Sequence, residues 1–128
     1  MSLENFKKNF KMFLSNQSST LLEESHKLKN EQRDDEYKFN RVENNIIEIF
    51  TQMFDISLKK VKDTPNWKTE LEVVYLSFFD KIPSAWHTNL QKCKTFGLDE
   101  EVLIESLKIN RAESLKHTFK IMLEEEKV

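Results

Sequence analysis

Residues 39–61 read FNRVENNIIEIFTQMFDISLKKV, and the spacing of their apolar side chains decides the fold. Phe39, Val42, Ile46, Ile49, Met53 and Ile56 recur at alternating intervals of three and four. A second row, Ile47, Phe50, Phe54, Leu58 and Val61, lies beside the first. A strand would alternate every second residue; these rows follow a helix. At 100° per residue the two rows cover about half of the helix circumference. Such a helix must touch neighbours on two sides, so it is predicted to be central and to end near Lys62.

Towards the N-terminus, Leu3, Phe6, Phe10, Phe13, Leu14, Leu21 and Leu28 fall in one narrow stripe, with Gln17 and Glu24 in the same seam. The phase holds throughout, which predicts one long helix. A restart at Thr20, where Thr20 and Glu23 fit a capping box, is the competing reading. A stripe this narrow resembles a coiled-coil seam, and burial of it between two chains would make a homodimer. Residues 30–36 carry no apolar member and are the expected turn, with Asp34 or Asp35 as N-cap.

Beyond the central helix, Thr64 and Pro65 suit an N-cap and a first helical position. Trp67, Leu71, Val74, Tyr75, Phe78 and Ile82 then form an inward face. Pro83 is expected to stop or kink this helix, because it has no N–H and its ring clashes with the preceding turn. Ser84 would cap a short helix carrying Trp86, Leu90 and Cys93. Gly97 stands where a helix C-terminus wants a left-handed residue. Asp99 would cap the last helical segment, with Leu98 stapled onto Leu103. There, Val102, Leu103, Ile104 and Leu107 point about a third of a turn away from Ala112, Leu115, Phe119, Met122 and Leu123. Either the helix bends across two partners or it breaks near residues 108–110. The expected architecture is a single all-α domain over residues 1–128. It is a bundle of about five helices, with long antiparallel helices 1 and 2 and a shorter C-terminal helical set.

Composition agrees with that class and narrows function by exclusion. The 128 residues hold one Gly and two Pro, too few for the turns of a strand-rich fold. One glycine also cannot build a dinucleotide fingerprint, a P-loop or a nucleophile elbow. Twenty basic against 22 acidic residues give a net charge of −2, which does not favour duplex binding. The lone Cys93 excludes an intramolecular disulfide and reads as an intracellular thiol. The longest apolar run, residues 73–79, is far short of the roughly 20 residues of a membrane span, and no signal peptide is apparent. His26, His87 and His117 fall on separate predicted helices. Glu23 and His26 have the carboxylate–histidine spacing of di-iron bundles but no second such pair, so the histidines are expected at the surface. No metal and no cofactor is implied.

Three functional readings follow. The leading one is a non-enzymatic, cytoplasmic helical interaction or adaptor module, whose partner is another protein or a second copy of itself. The alternative is a small DNA-binding regulator with a degenerate helix-turn-helix at residues 99–120, turning at Lys108-Ile109-Asn110 and presenting Arg111, Lys116 and Lys120. The third is an apolar-ligand-binding bundle, in which Trp67, Tyr75, Phe79 and Trp86 line a pocket or groove. Core packing is the ordinary use of aromatic residues at helical spacing.

Overall fold

The structure, a computed structural model, describes residues 2–126. Among these there are four α-helices and no strand: α1 (Leu3–Asn30), α2 (Asp34–Lys60), α3 (Trp67–Thr95) and α4 (Asp99–Glu125). The all-α bundle is as expected, but four helices replace five. The last two are as long as the first two, so no shorter C-terminal set exists.

Both corrections have the same physical cause. Pro83 lies buried inside α3 and does not end it. It denies the Phe79 carbonyl its backbone partner, a loss that ordinarily destabilises a helix by about 3 kcal/mol. Tyr75 and Phe79 before it and Cys93 after it are buried on the same face, and that shared packing offsets the penalty. Residues 108–110 likewise lie within one unbroken α4. The helix accommodates its two out-of-phase apolar sets by burying only the second. Ala112, Leu115, Phe119 and Leu123 are buried, whereas Leu103 is exposed. Leu98 is exposed too, so the expected staple between them does not form.

The helix ends are set locally. Ser2 caps α1, accepting the Asn5 N–H on its Oγ at 3.1 Å. Thr20 does not restart a helix; its hydroxyl donates to the Asn16 carbonyl at 3.0 Å within α1. Neither Asp34 nor Asp35 is an N-cap. Arg33 occupies that place, and Asp34, Asp35 and Glu36 form the acidic first turn that the helix dipole favours. Thr64 accepts the Asn66 N–H on Oγ1 at 3.3 Å, and α3 starts at Trp67 rather than at Pro65. Asp99 lies in the first turn of α4, after the N-cap Leu98.

The chain runs up and down, so the start of α1, the end of α2, the start of α3 and the end of α4 meet at one end of the bundle. There Phe6, Phe10, Phe54, Tyr75 and Phe119 pack ring against ring across all four helices. Phe79 stacks on Phe50 with centroids 4.0 Å apart. The Tyr75 hydroxyl donates to the Phe50 carbonyl at 3.0 Å. Leu3, Phe6, Phe10, Leu14, Leu21 and Leu28 of the α1 stripe are buried within this single chain, and Phe13 is half-buried.

From mid-bundle towards the opposite end, polar contacts join the helices beside buried Leu21, Leu28 and Cys93. Ser18 donates to Asn44 at 2.8 Å, and Ser25 bonds Asn40, both between α1 and α2. Arg111 of α4 donates to Gln17 of α1 and to Glu43 of α2, each at 3.1 Å. Lys108 bonds the buried Glu105 at 3.0 Å and lies over the Trp86 ring.

Candidate functional site

The central helix α2 has three long faces. Ile46, Ile47, Phe50, Phe54 and Ser57 point into the core. The second apolar row of the sequence is therefore the core row, and the first is mostly a flank. On the side towards α1, that flank is polar and internally satisfied. Asn44 donates to Glu48 at 3.1 Å, and Asp55 pairs with Lys11 at 2.8 Å. A groove of about 440 Å³ runs there over Leu14 and Ile47, rimmed by hydroxyl and charged side chains.

The other flank is apolar and incompletely covered. At 100° per residue, Ile49, Met53, Ile56 and Lys60 lie within a sector of about 60°. Ile49 and Met53 are half-buried against the core, and Ile56 is 38% exposed. Across the seam, α3 offers Val74 and Phe78 on one line, both half-buried. Lys60 Nζ lies 6.0 Å from the Phe78 ring centroid, within cation–π range, which places the two flanks side by side. Val73 beside them is 67% exposed. A hollow of about 510 Å³ opens among Lys60, Lys62, Thr69, Glu70, Val73 and Val74.

The connections explain why this seam is open. Residues 31–33 join α1 to α2 and residues 96–98 join α3 to α4, each through a tight turn. Residues 61–66 join α2 to α3, twice as many, starting with Val61 in an extended conformation. The longer link lets α3 lean onto α4, and α2 packs less closely on α3 than on α1.

The residues singled out from the sequence are placed elsewhere. Trp67, Tyr75 and Phe79 are buried in the aromatic core, and Trp86 is half-buried beneath Lys108. Their rings fill the space that a ligand would need, and Phe79, at 5% exposure, is not at the surface. Burial pushes the Tyr75 phenol far above its ordinary range. Arg111, Lys116 and Lys120 differ in placement. Arg111 is turned inward onto Gln17 and Glu43, Lys116 is half-buried, and Lys120 is exposed. With α4 unbroken, the turn of a helix-turn-helix is absent. His26, His87 and His117 are each exposed, and among the described residues no group of three or more His, Cys, Asp or Glu side chains is placed to hold a metal ion. No helix among them is long and apolar enough to cross a membrane.

Sequence reasoning missed the seam because it took every apolar residue of α2 as core. The signal was present: two rows covering half a helix need more covering surface than two tightly turned hairpins supply. Comparison with protein-family models, with curated proteins and with solved structures gives no match in any of the three.

Proposed function

We propose that this chain is a non-enzymatic helical interaction module, and that the seam between α2 and α3 receives a helix from a partner protein. The observation that carries this reading is the continuous apolar line Ile49, Met53 and Ile56 facing Val74 and Phe78, with Ile56 and Val73 left exposed. Apolar surface gathered along a seam rather than standing as isolated residues is the usual mark of a docking site, and the hollow beside it is lined by Val73 and Val74 with Lys60, Lys62, Thr69 and Glu70. The seam supplies the two ridges between which a third helix seats its own, and anchors at i, i+3, i+4 and i+7 of a visitor would meet them.

The test is an amide NMR titration of the full chain with a stapled amphipathic helix. The peptide has about 18 residues, roughly 27 Å long, with leucines on one face and glutamines elsewhere. Shifts should gather on Met53, Ile56, Lys60, Val74 and Phe78. They should vanish in Ile56→Glu, which circular dichroism should show to be as helical as the parent. Shifts confined to the α1–α2 groove would move the docking surface there, and absence of saturable shifts at millimolar peptide would remove the reading.

A further inference from the structure

The rim of the seam selects the chemistry of its occupant. Lys60 and Lys62, at the end of α2 and in the linker, both line the hollow and are exposed. Lys81, two turns beyond Val74 and on nearly the same line of α3, is exposed as well. None of the three is ion-paired among the described residues, in contrast to Lys7 and Lys11 of α1, which are held by Glu4 and Asp55. Glu70 is the sole carboxylate lining the hollow. The chain as a whole carries a net charge of −2, whereas the hollow carries two lysines against one carboxylate, with exposed Asp63 next to Lys62 in the linker. The negative end of the α2 dipole accounts for lysines in its last turn. It does not account for Lys62 beyond the helix or Lys81 on another one.

Resting on the docking reading above, we propose that the partner segment is an acidic amphipathic helix: apolar residues along one face seat between α2 and α3, and Asp or Glu side chains on its flanks meet Lys60, Lys62 and Lys81. A helix edge fits a recessed line, because Met53 and Phe78 lie half-buried between two helices. An anionic lipid surface is also drawn to lysines, but it takes up apolar side chains that protrude; here Met53, Val74 and Phe78 are half-buried and only Val73 and Ile56 stand exposed. Charge complementarity of this kind steers encounter and fixes which partner is accepted.

The experiment compares three versions of the stapled helix by fluorescence anisotropy with the full chain: the glutamine-flanked one, one with glutamates at the flanks and one with lysines. The glutamate peptide should bind at least tenfold tighter than the lysine peptide at about 50 mM salt, and the gap should shrink at about 500 mM, where screening is strong. The double substitution Lys60→Glu, Lys62→Glu should reverse the order of the two. Ile56→Glu, or Val73→Glu at the more exposed position, should weaken all three peptides tenfold or more. Equal binding of the three, still lost with Ile56→Glu, would keep the docking seam and overturn the acidic partner. Failure of every peptide, with binding instead to vesicles of phosphatidylserine and phosphatidylcholine, would overturn both. Dimerisation of the chain alone in sedimentation equilibrium, abolished by Ile56→Glu, would replace the partner with a second copy and overturn the proposal.

Discussion

The two ends of this bundle are held together by different means. At one end, Phe6, Phe10, Phe54, Tyr75 and Phe119 pack across four helices with no charge among them. Towards the other, buried Leu21, Leu28 and Cys93 are accompanied by polar contacts, Ser18–Asn44, Ser25–Asn40 and the Arg111–Gln17–Glu43 cluster at mid-bundle. The chain's own connectivity explains the division. Both tight turns, residues 31–33 and 96–98, lie at the polar end and fasten the helices there in pairs. The aromatic end has one long link, and the other two helices start or finish there, so side-chain packing must hold it. Packing supplies stability; directional polar bonds between fixed neighbours supply register.

If that division is right, the largest single loss lies in the aromatic cluster. Phe10 is fully buried and meets Phe6, Phe13, Phe54, Tyr75 and Phe119. Phe10→Ala should destabilise the chain by about 3–5 kcal/mol, close to the whole stability of a small domain. Denaturant unfolding followed by circular dichroism reads this directly. A loss below about 1 kcal/mol would mean that the aromatic end is not the stabilising one.

The polar end should respond differently to single and paired changes. Arg111 and Glu43 side chains are 20% and 25% exposed. Arg111→Ala strands a mostly buried carboxylate and should cost about 1–3 kcal/mol. Arg111→Met combined with Glu43→Leu should recover most of that, since apolar replacement of both partners of an ion pair is often neutral. The same unfolding measurement completes the cycle. If the double variant is as unstable as the single one, the cluster contributes stability as well as register, and the contrast between the ends weakens.

The aromatic end was legible in the sequence because its phase and its burial agree. Phe6, Phe10, Leu14, Phe50, Phe54, Tyr75, Leu115 and Phe119 sit at helical spacing and are all buried. Four things were not legible. A rule about residue type, that proline ends a helix, lost at Pro83 to packing on both sides of it. The choice between a bend and a break in α4 came from treating every apolar residue as one that must be buried, and Leu103 is not. The open seam was hidden by the same assumption: Ile56 reads as core by periodicity, yet it is 38% exposed beside the less closely packed α3. Ser18, Asn40, Asn44 and Arg111 gave no signal, because a polar residue in a helix becomes a contact only when another helix brings its partner.

A smaller effect separates the ends by pH. Tyr75 is buried at the aromatic end, and its phenol is held protonated well above the ordinary value near 10. In the unfolded chain it ionises near pH 10. The native state therefore keeps a proton that the unfolded state gives up, and stability must fall as pH rises above about 10. Tyr75→Phe removes that dependence and sacrifices the bond to the Phe50 carbonyl, which should cost about 1 kcal/mol at pH 7. Melting curves from pH 7 to 11.5 should converge for the two proteins as pH rises. A gap that stays constant would place the alkaline sensitivity in another group.

The smallest expected effect lies in the two turns that fasten the polar end. Both close with the same pair of bonds. Arg33 N–H donates to the Leu28 carbonyl and Gln32 N–H to that of Lys29; Leu98 and Gly97 repeat the pattern onto Cys93 and Lys94. In each, the residue after the helix cap is left-handed, with φ 58° at Gln32 and 66° at Gly97. Glycine adopts that conformation freely; a side chain makes it cost about 1–2 kcal/mol. Glycine also loses more backbone entropy on folding, which takes back roughly 0.5–1 kcal/mol. Gln32→Gly should therefore stabilise by up to about 1 kcal/mol, a rise of a few degrees in Tm. Gly97→Ala should destabilise by a similar amount. No atom lies within 4 Å of where its Cβ would stand, so the loss is conformational and not steric. Thermal melts of the two variants and of the pair together decide the matter. Opposite signs that cancel in the double variant mean that the turns are independent clasps of equal design. Two changes of the same sign would show that the turn between α1 and α2 is held by its side chain and not by its backbone.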